Sequence, residues 1–461
     1  MEATFGRLSR KWQMGIDLHD MRSRARQPSG AARALRACGL GLALLALAAC
    51  SGGGGSHLPR PTPFDPALAA KLHDIRAKAS EVRGLPPYEK VKEGTITQEA
   101  LVNYSKAQAG KMTDDEKREL DSYTAALRLL RLIGPQDDLL KIFSEDYPAN
   151  ILGIYLPDAR ELVMIGVGQQ IGMSDELTLA HEYTHSFQDG SFGIEELRKR
   201  WEKSSTERDG HSQYGETIDC LVEGDAVVSE RLYAEQAFGS DWQQKLQQEP
   251  AEAEAQAATP LPEFLERAFL FNYRECGAFV QALYNKGGWG EVNAAYEKPP
   301  ATTEQVLHLD KYEAWEVSNG QQPVDLSKSL GNGWALLDTS QFGEFDVYNY
   351  ALTMAKDDAA ARIAAAGWGG GWLSIYRKKE QSDQVLVQLS LSWDINDDMN
   401  QFLAVFGAIL DARAVQWQIQ QGQPEVNWTA EGEYGFLRWN DTKALVDILI
   451  ATDADTLERV R

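Results

Sequence analysis

His181-Glu182-Tyr183-Thr184-His185 has the form HExxH. On a helix, residues four apart project from one face, so both imidazoles can reach a single zinc ion while Glu182 stands beside it as general base. That set of groups points to metal-assisted hydrolysis of a peptide bond. Zinc in hydrolases takes three protein ligands and leaves one position for water, so a third ligand must lie downstream. Glu223 is the leading candidate. It lies in Glu216–Ala226, whose period predicts a second helix, and Gly224 would let that helix approach the first closely. Glu216 and Glu230 share its face at seven-residue intervals and stand in reserve, and His211, in the loop-like run Arg208–Gln213, is a further rival.

The metal motif needs a helix. Ser174 as N-cap, with Asp175 and Glu176 in the first turn, provides a start, and Asp189-Gly190 provides a stop. Between them Leu177, Ala180, His181, Thr184, His185 and Gln188 form one stripe, while Leu179, Tyr183 and Phe187 form a second, apolar one. Upstream, the apolar runs Ile151–Leu156 and Glu161–Gly166 flank a Pro157-Asp158 turn and predict a β-hairpin. Amide hydrolysis also needs a donor aimed at the developing oxyanion. Tyr273, His308 and Tyr312 are the candidates by residue type and position.

The longer pattern HExxHxxGxxH is absent, because Gln188 and Ser191 stand where glycine and the third histidine would be; this excludes the metzincin arrangement. His181–Asp189 followed by Leu221–Ala226 instead resembles the glutamate-ligand zinc peptidases, the gluzincins of the thermolysin and aminopeptidase type. More narrowly, it is similar to a group of extracytoplasmic bacterial proteins in which a HExxH helix is followed by a Glu-Gly-Asp-Ala helix. The likeness extends through Phe271-Asn272-Tyr273, Gly277–Val280, Gly287-Gly288-Trp289 and Pro299–His308, covering residues 65–315. It implies His181, His185 and Glu223 as zinc ligands and Glu182 as base. Where thermolysin has a histidine-orienting aspartate, one turn after its glutamate ligand, this chain has Val227, which leaves Asp219 and Asp225 as alternatives for that task. In gluzincins a strand beside the metal helix pairs with extended substrate, a role the hairpin could take.

The N-terminus reads as an export signal. A ten-residue apolar stretch at 40–49 is too short for a permanent membrane span, and it follows Arg22, Arg24, Arg26, Arg33 and Arg36. Leu47-Ala48-Ala49-Cys50 resembles a bacterial lipobox, which implies removal of residues 1–49 and lipidation of Cys50. Met21 would give a signal of ordinary length. Residues 50–64, with Ser51–Ser56 and then Pro61 and Pro63, form a tether. Ser51 after the lipidated cysteine favours the outer membrane of a Gram-negative cell. Residues 1–49 contribute eight basic and three acidic side chains, so the remainder carries 38 basic and 65 acidic ones, a formal charge of −27 that disfavours nucleic acid as a partner. Cys220 and Cys276 remain after Cys38 and Cys50 are assigned, and in an oxidising compartment they are positioned to pair or to persist as thiols.

The expected fold class is α+β. Residues 65–316 form a mainly helical, zincin-like catalytic domain with one β-hairpin, 317–340 a connection, and 341–461 a smaller α+β module with antiparallel strands. In that module 372–376, 385–389, 434–439 and 444–450 read as strands, and 347–365 and 396–413 as helices. Gln243–Pro262 reads as a loop, and the glycine-tryptophan tags at 287–290 and 367–370 raise the idea of an internal duplication. The expected function is a membrane-tethered zinc metallopeptidase acting on peptide or protein substrates. The alternatives are a non-catalytic binding or assembly lipoprotein on the same fold, and a cell-wall amidase.

Overall fold

The computed structural model describes residues 58–461 apart from 89–90, 158, 169, 209–212, 250–259, 321, 414 and 420–423. The signal segment, Cys50, the first part of the tether, His211, Asp158 and much of the expected loop before Pro262 therefore lie outside the described residues. The fold is α+β, with helices predominating over two sheets. No helix among the described residues is long and apolar enough to cross a membrane.

The first part contains α1 (Ala69–Arg83), β1 (Lys92–Ile96), α2 (Gln98–Ala109), α3 (Asp114–Leu129), β2 (Gly153–Leu156) and β3 (Glu161–Ile165). The expected hairpin is β2–β3, antiparallel with Gly153 opposite Met164. Its unforeseen neighbour is β1, which runs parallel to β3, giving the order β1-β3-β2 and leaving β2 at one edge. A charged strand such as Lys-Glu-Gly-Thr-Ile carries little alternation to reveal it.

The metal-motif helix is α4 (Met173–Phe192). It begins one residue before Ser174: the Asp175 carboxylate accepts from the Gly172 N–H at 3.1 Å, and Glu249 accepts from the N–H groups of Met173 and Ser174 at 2.5 and 3.0 Å. It runs through Gly190, where a Cβ would meet the Tyr88 ring at 2.8 Å, and stops at Gly193, whose φ of +61° suits glycine. Then follow α5 (Ile194–Arg208), α6 (Tyr214–Phe238), α7 (Trp242–Gln248), α8 (Glu263–Gly287), α9 (Trp289–Glu297), α10 (Thr303–Leu307) and α11 (Leu309–Ala314). Helix α7 occupies part of the stretch expected to be loop.

Helix α6 is held from several sides. The expectation that Gly224 serves contact with α4 is corrected: a Cβ there would lie 2.3 Å from the Cys276 carbonyl oxygen, so the close approach is to α8. Cys220 and Cys276 form a disulfide across the same contact. From α1, the fully buried Arg83 grips Asp225 through Nε and Nη2 at 2.5 and 2.8 Å, while the Tyr296 hydroxyl donates to the same carboxylate at 2.7 Å. The Arg83 guanidinium also lies over the Trp289 ring at 4.3 Å. From α5, Arg198 donates to Asp219 at 2.7 Å.

Beyond residue 330 lie β4 (Trp334–Gln341), α12 (Glu344–Ala355), α13 (Asp358–Ala365), β5 (Trp368–Lys378), β6 (Gln381–Trp393), α14 (Asn396–Ala412), β7 (Gln416–Ile419), β8 (Glu425–Ala430), β9 (Glu433–Asn440) and β10 (Leu445–Ala451). They build an antiparallel sheet of order β4-β5-β6-β10-β9-β8-β7. The edge strand β4 comes from the stretch expected to be a connection, and the helix expected at 347–365 is broken at Lys356, in the left-handed region. The two glycine-tryptophan tags differ in structure: one joins α8 to α9, the other opens β5. One apolar cluster runs from Leu120, Tyr123 and Leu127 of α3 to Val387, Leu389 and Leu391 of β6 and Phe402 and Phe406 of α14. The helical part and the sheet thus share a core.

Two glycines test this packing in opposite senses. Gly224→Ala should cost about 3 kcal/mol, since the added carbon meets helix backbone that cannot swing aside. Gly407→Ala, within α14 and with nothing near its would-be Cβ, should stabilise by about 0.5–1 kcal/mol. Urea unfolding of both variants reads the difference; equal effects would contradict the assigned α6–α8 contact.

Candidate metal centre

Helices α4 and α6 meet along a line of polar contacts that step in opposite chain directions. The Tyr233 hydroxyl donates to Glu176 at 2.7 Å, His181 Nδ1 lies 3.0 Å from Glu230 Oε2, and Gln188 Nε2 donates to the Val222 carbonyl at 2.9 Å. The helices are therefore antiparallel here, and Glu223 comes opposite the histidine pair. Its Oε2 is 3.5 Å from His181 Nε2 and 3.6 Å from His185 Nε2. The three side chains are buried, and their donor atoms all lie within 4.8 Å of one another.

This donor set fits a zinc ion. Tetrahedral ligands bonded at about 2.0–2.1 Å stand about 3.3–3.4 Å apart, close to the two separations seen. Both separations exceed the 2.7–2.9 Å of a charge-assisted N–H···O bond, and the buried Glu223 Oε2 accepts no hydrogen bond from the described residues. A carboxylate so placed between two imidazoles would be stabilised by a shared cation. An ionised Glu230 can only accept, which would place a proton on His181 Nδ1 and leave the Nε2 lone pair toward Glu223.

Glu230, a reserve ligand in the sequence, thus orients His181, and Gln188 Oε1 stands 2.9 Å from His185 Nδ1. Asp219 and Asp225, the alternatives for that orienting task, are instead engaged by Arg198 and Arg83. Glu216 accepts from Gln213 Nε2 at 3.0 Å, and the donor group that closes on the two histidines contains Glu223 rather than Glu216. The clue to Glu230 was its place two turns after Glu223; sequence spacing alone could not say whether it met Nδ1 or Nε2.

Glu182 is fully buried, and Gly153 of β2 makes room for it: a Cβ there would approach the Glu182 Oε1 and Cγ to 3.0 Å. Tyr273, on α8, sets its ring 6.3 Å from that of His181. His308 is half exposed and bonds through Nε2 to Glu344 at 2.9 Å, which raises the imidazole pKa from its ordinary value against the opposing effect of burial. The Tyr312 hydroxyl donates to the Lys298 carbonyl at 2.8 Å. Of the three expected oxyanion donors, Tyr273 alone has a ring contact with a metal-motif histidine among the described residues.

A second acidic group, Glu304, Glu316 and Asp394, already holds a cation. The Lys311 ammonium donates to all three, at 2.5, 2.9 and 3.1 Å. Burial pushes the Glu304 carboxyl up to about 7 despite this lysine.

Residues 332–461 match a family model described as Domain of unknown function (DUF8575), a stretch that starts just before β4 and excludes the candidate metal centre. No curated protein and no solved structure matches the chain.

Zinc affinity, measured by competition with a chelator, should rank the carboxylates. Glu223→Ala would remove a candidate ligand and should lose the most, Glu230→Ala should lose about 10–100-fold, and Glu216→Ala should stay near wild type. A larger loss for Glu216→Ala than for Glu223→Ala would contradict the assignment.

Proposed function

We propose that the chain is a zinc metallopeptidase that hydrolyses peptide bonds, exported and tethered to a membrane through a lipid on Cys50. The observation that carries the reading is the meeting of His181, His185 and Glu223 around one point, with Glu182 on the same helix as both histidines. Zinc, when bound, supplies Lewis acidity, which makes water more acidic and polarises a carbonyl. Glu182 accepts the proton that the attacking water gives up and passes it to the leaving amine. The surrounding burial excludes bulk water and leaves these charges weakly screened. Strand β2 offers an edge beside α4 on which an extended peptide could pair, and Tyr273 is the nearest proposed donor to the oxyanion. His308, braced by Glu344, and Tyr312 are reserves for that role.

One observation favours the second reading, a binding or assembly lipoprotein that uses the same centre without turnover. His181 and Glu182 are 0% exposed, so a peptide reaches them only if neighbouring elements part. Glu182→Gln separates the two readings. In an enzyme it should keep stoichiometric zinc and lower cleavage of a peptide library by about 10²–10⁴-fold. Cleavage unchanged in this variant would contradict the assigned base, and a wild type that holds zinc but cleaves neither peptides nor isolated cell wall would favour the binding role.

A further inference from the structure

We propose that Gln188 is a positioning residue through which the backbone of α6 sets the tautomer of His185. The Val222 carbonyl is an acceptor, so the group of Gln188 that lies 2.9 Å from it must be the amide nitrogen. That fixes the amide oxygen on the other arm, 2.9 Å from His185 Nδ1. An oxygen there requires a proton on Nδ1, and the neutral ring then presents a lone pair at Nε2, the atom facing Glu223. Were the amide reversed, its nitrogen would donate to Nδ1 and the proton would sit on Nε2, where it would block a metal.

The relay is buried from end to end: Gln188 and His185 are both enclosed, and Val222 adjoins Glu223 in the chain. The contact that sets the tautomer therefore also fixes the register of the helix carrying the carboxylate. His181 is oriented by the Glu230 carboxylate, which needs no second partner to decide its polarity; His185 depends on a neutral amide whose direction is decided elsewhere. Gln188 stands three residues after His185 on the same face of α4, within reach of both groups.

The consequence for metal binding rests on the zinc reading above, but the tautomer does not. Nitrogen-15 NMR of the full chain, labelled at its seven histidines and stripped of metal, reads the tautomer directly, with the His185 signal assigned by its loss in His185→Gln. The wild type should show a protonated Nδ1 and a bare Nε2. Gln188→Leu, similar in size but without polar atoms, should shift His185 toward the Nε2–H form and weaken zinc binding about 10–100-fold. Gln188→Glu, entering as the neutral acid with its O–H donating to the Val222 carbonyl and its C=O facing Nδ1, should restore the wild-type tautomer and most of the affinity.

A wild type with Nε2–H at His185 overturns the proposal, as does Gln188→Leu with an unchanged tautomer and unchanged zinc affinity. If Gln188→Leu does not fold, the wild-type and Gln188→Glu spectra decide: an Nε2–H form in either is contrary to the relay. Correct tautomers in a protein that fails to bind zinc would sink the metal reading and leave the role of Gln188 standing.

Discussion

The antiparallel contact between α4 and α6 sets the register that the surrounding elements hold. Along it the chain buries two imidazoles, the carboxylates of Glu182, Glu223 and Glu230, and the amide of Gln188. Taking such groups out of water costs several kcal/mol each unless partners of the right polarity meet them. A slide of one residue along either helix would rotate each side chain by about 100° and separate those partners. The polar seam therefore specifies one register where an apolar seam would tolerate several.

Much of the surrounding architecture can be understood as holding that register. The disulfide and the Gly224 contact clamp α6 to α8, Arg83 ties Asp225 to α1 and α9, and Arg198 ties Asp219 to α5. Each fastening falls within a few residues of Glu223. Removing one partner of the Arg83–Asp225 pair would leave an uncompensated buried charge, so its worth lies in orientation more than in net stability. The C-terminal sheet shares an apolar core with α3, while α12 packs Phe345 against Phe271 of α8, two residues before Tyr273. Through α8 the sheet buttresses the wall of the centre.

What the sequence disclosed and withheld follows from the range of each signal. The HExxH helix, the hairpin and the approach of Glu223 to the histidines were legible because local spacing or residue chemistry constrains them, whereas Cys220 and Cys276 stood open between a disulfide and two thiols until the docking of α6 on α8 joined them. The ends of α4 were misplaced by a few residues because Glu249, distant in sequence, caps its start, and because Gly190 serves packing against Tyr88 while Gly193 provides the stop. Strands β1, β4, β7 and β8 were missed since their pairing partners supply what their own alternation lacks. Gln188 and Glu230 were visible as members of the correct helical faces. Their tasks depend on which ring nitrogen they meet, and that is fixed only once the two helices are docked.

The proposed centre has one zinc ion joining the two helices through His181, His185 and Glu223. X-ray absorption at the zinc edge of the purified, zinc-supplied chain tests it most directly. The expected result is one zinc per chain, with two imidazole nitrogens and oxygen donors at about 2.0–2.2 Å and no sulfur. Substoichiometric zinc, or a shell containing sulfur at about 2.3 Å, would contradict it.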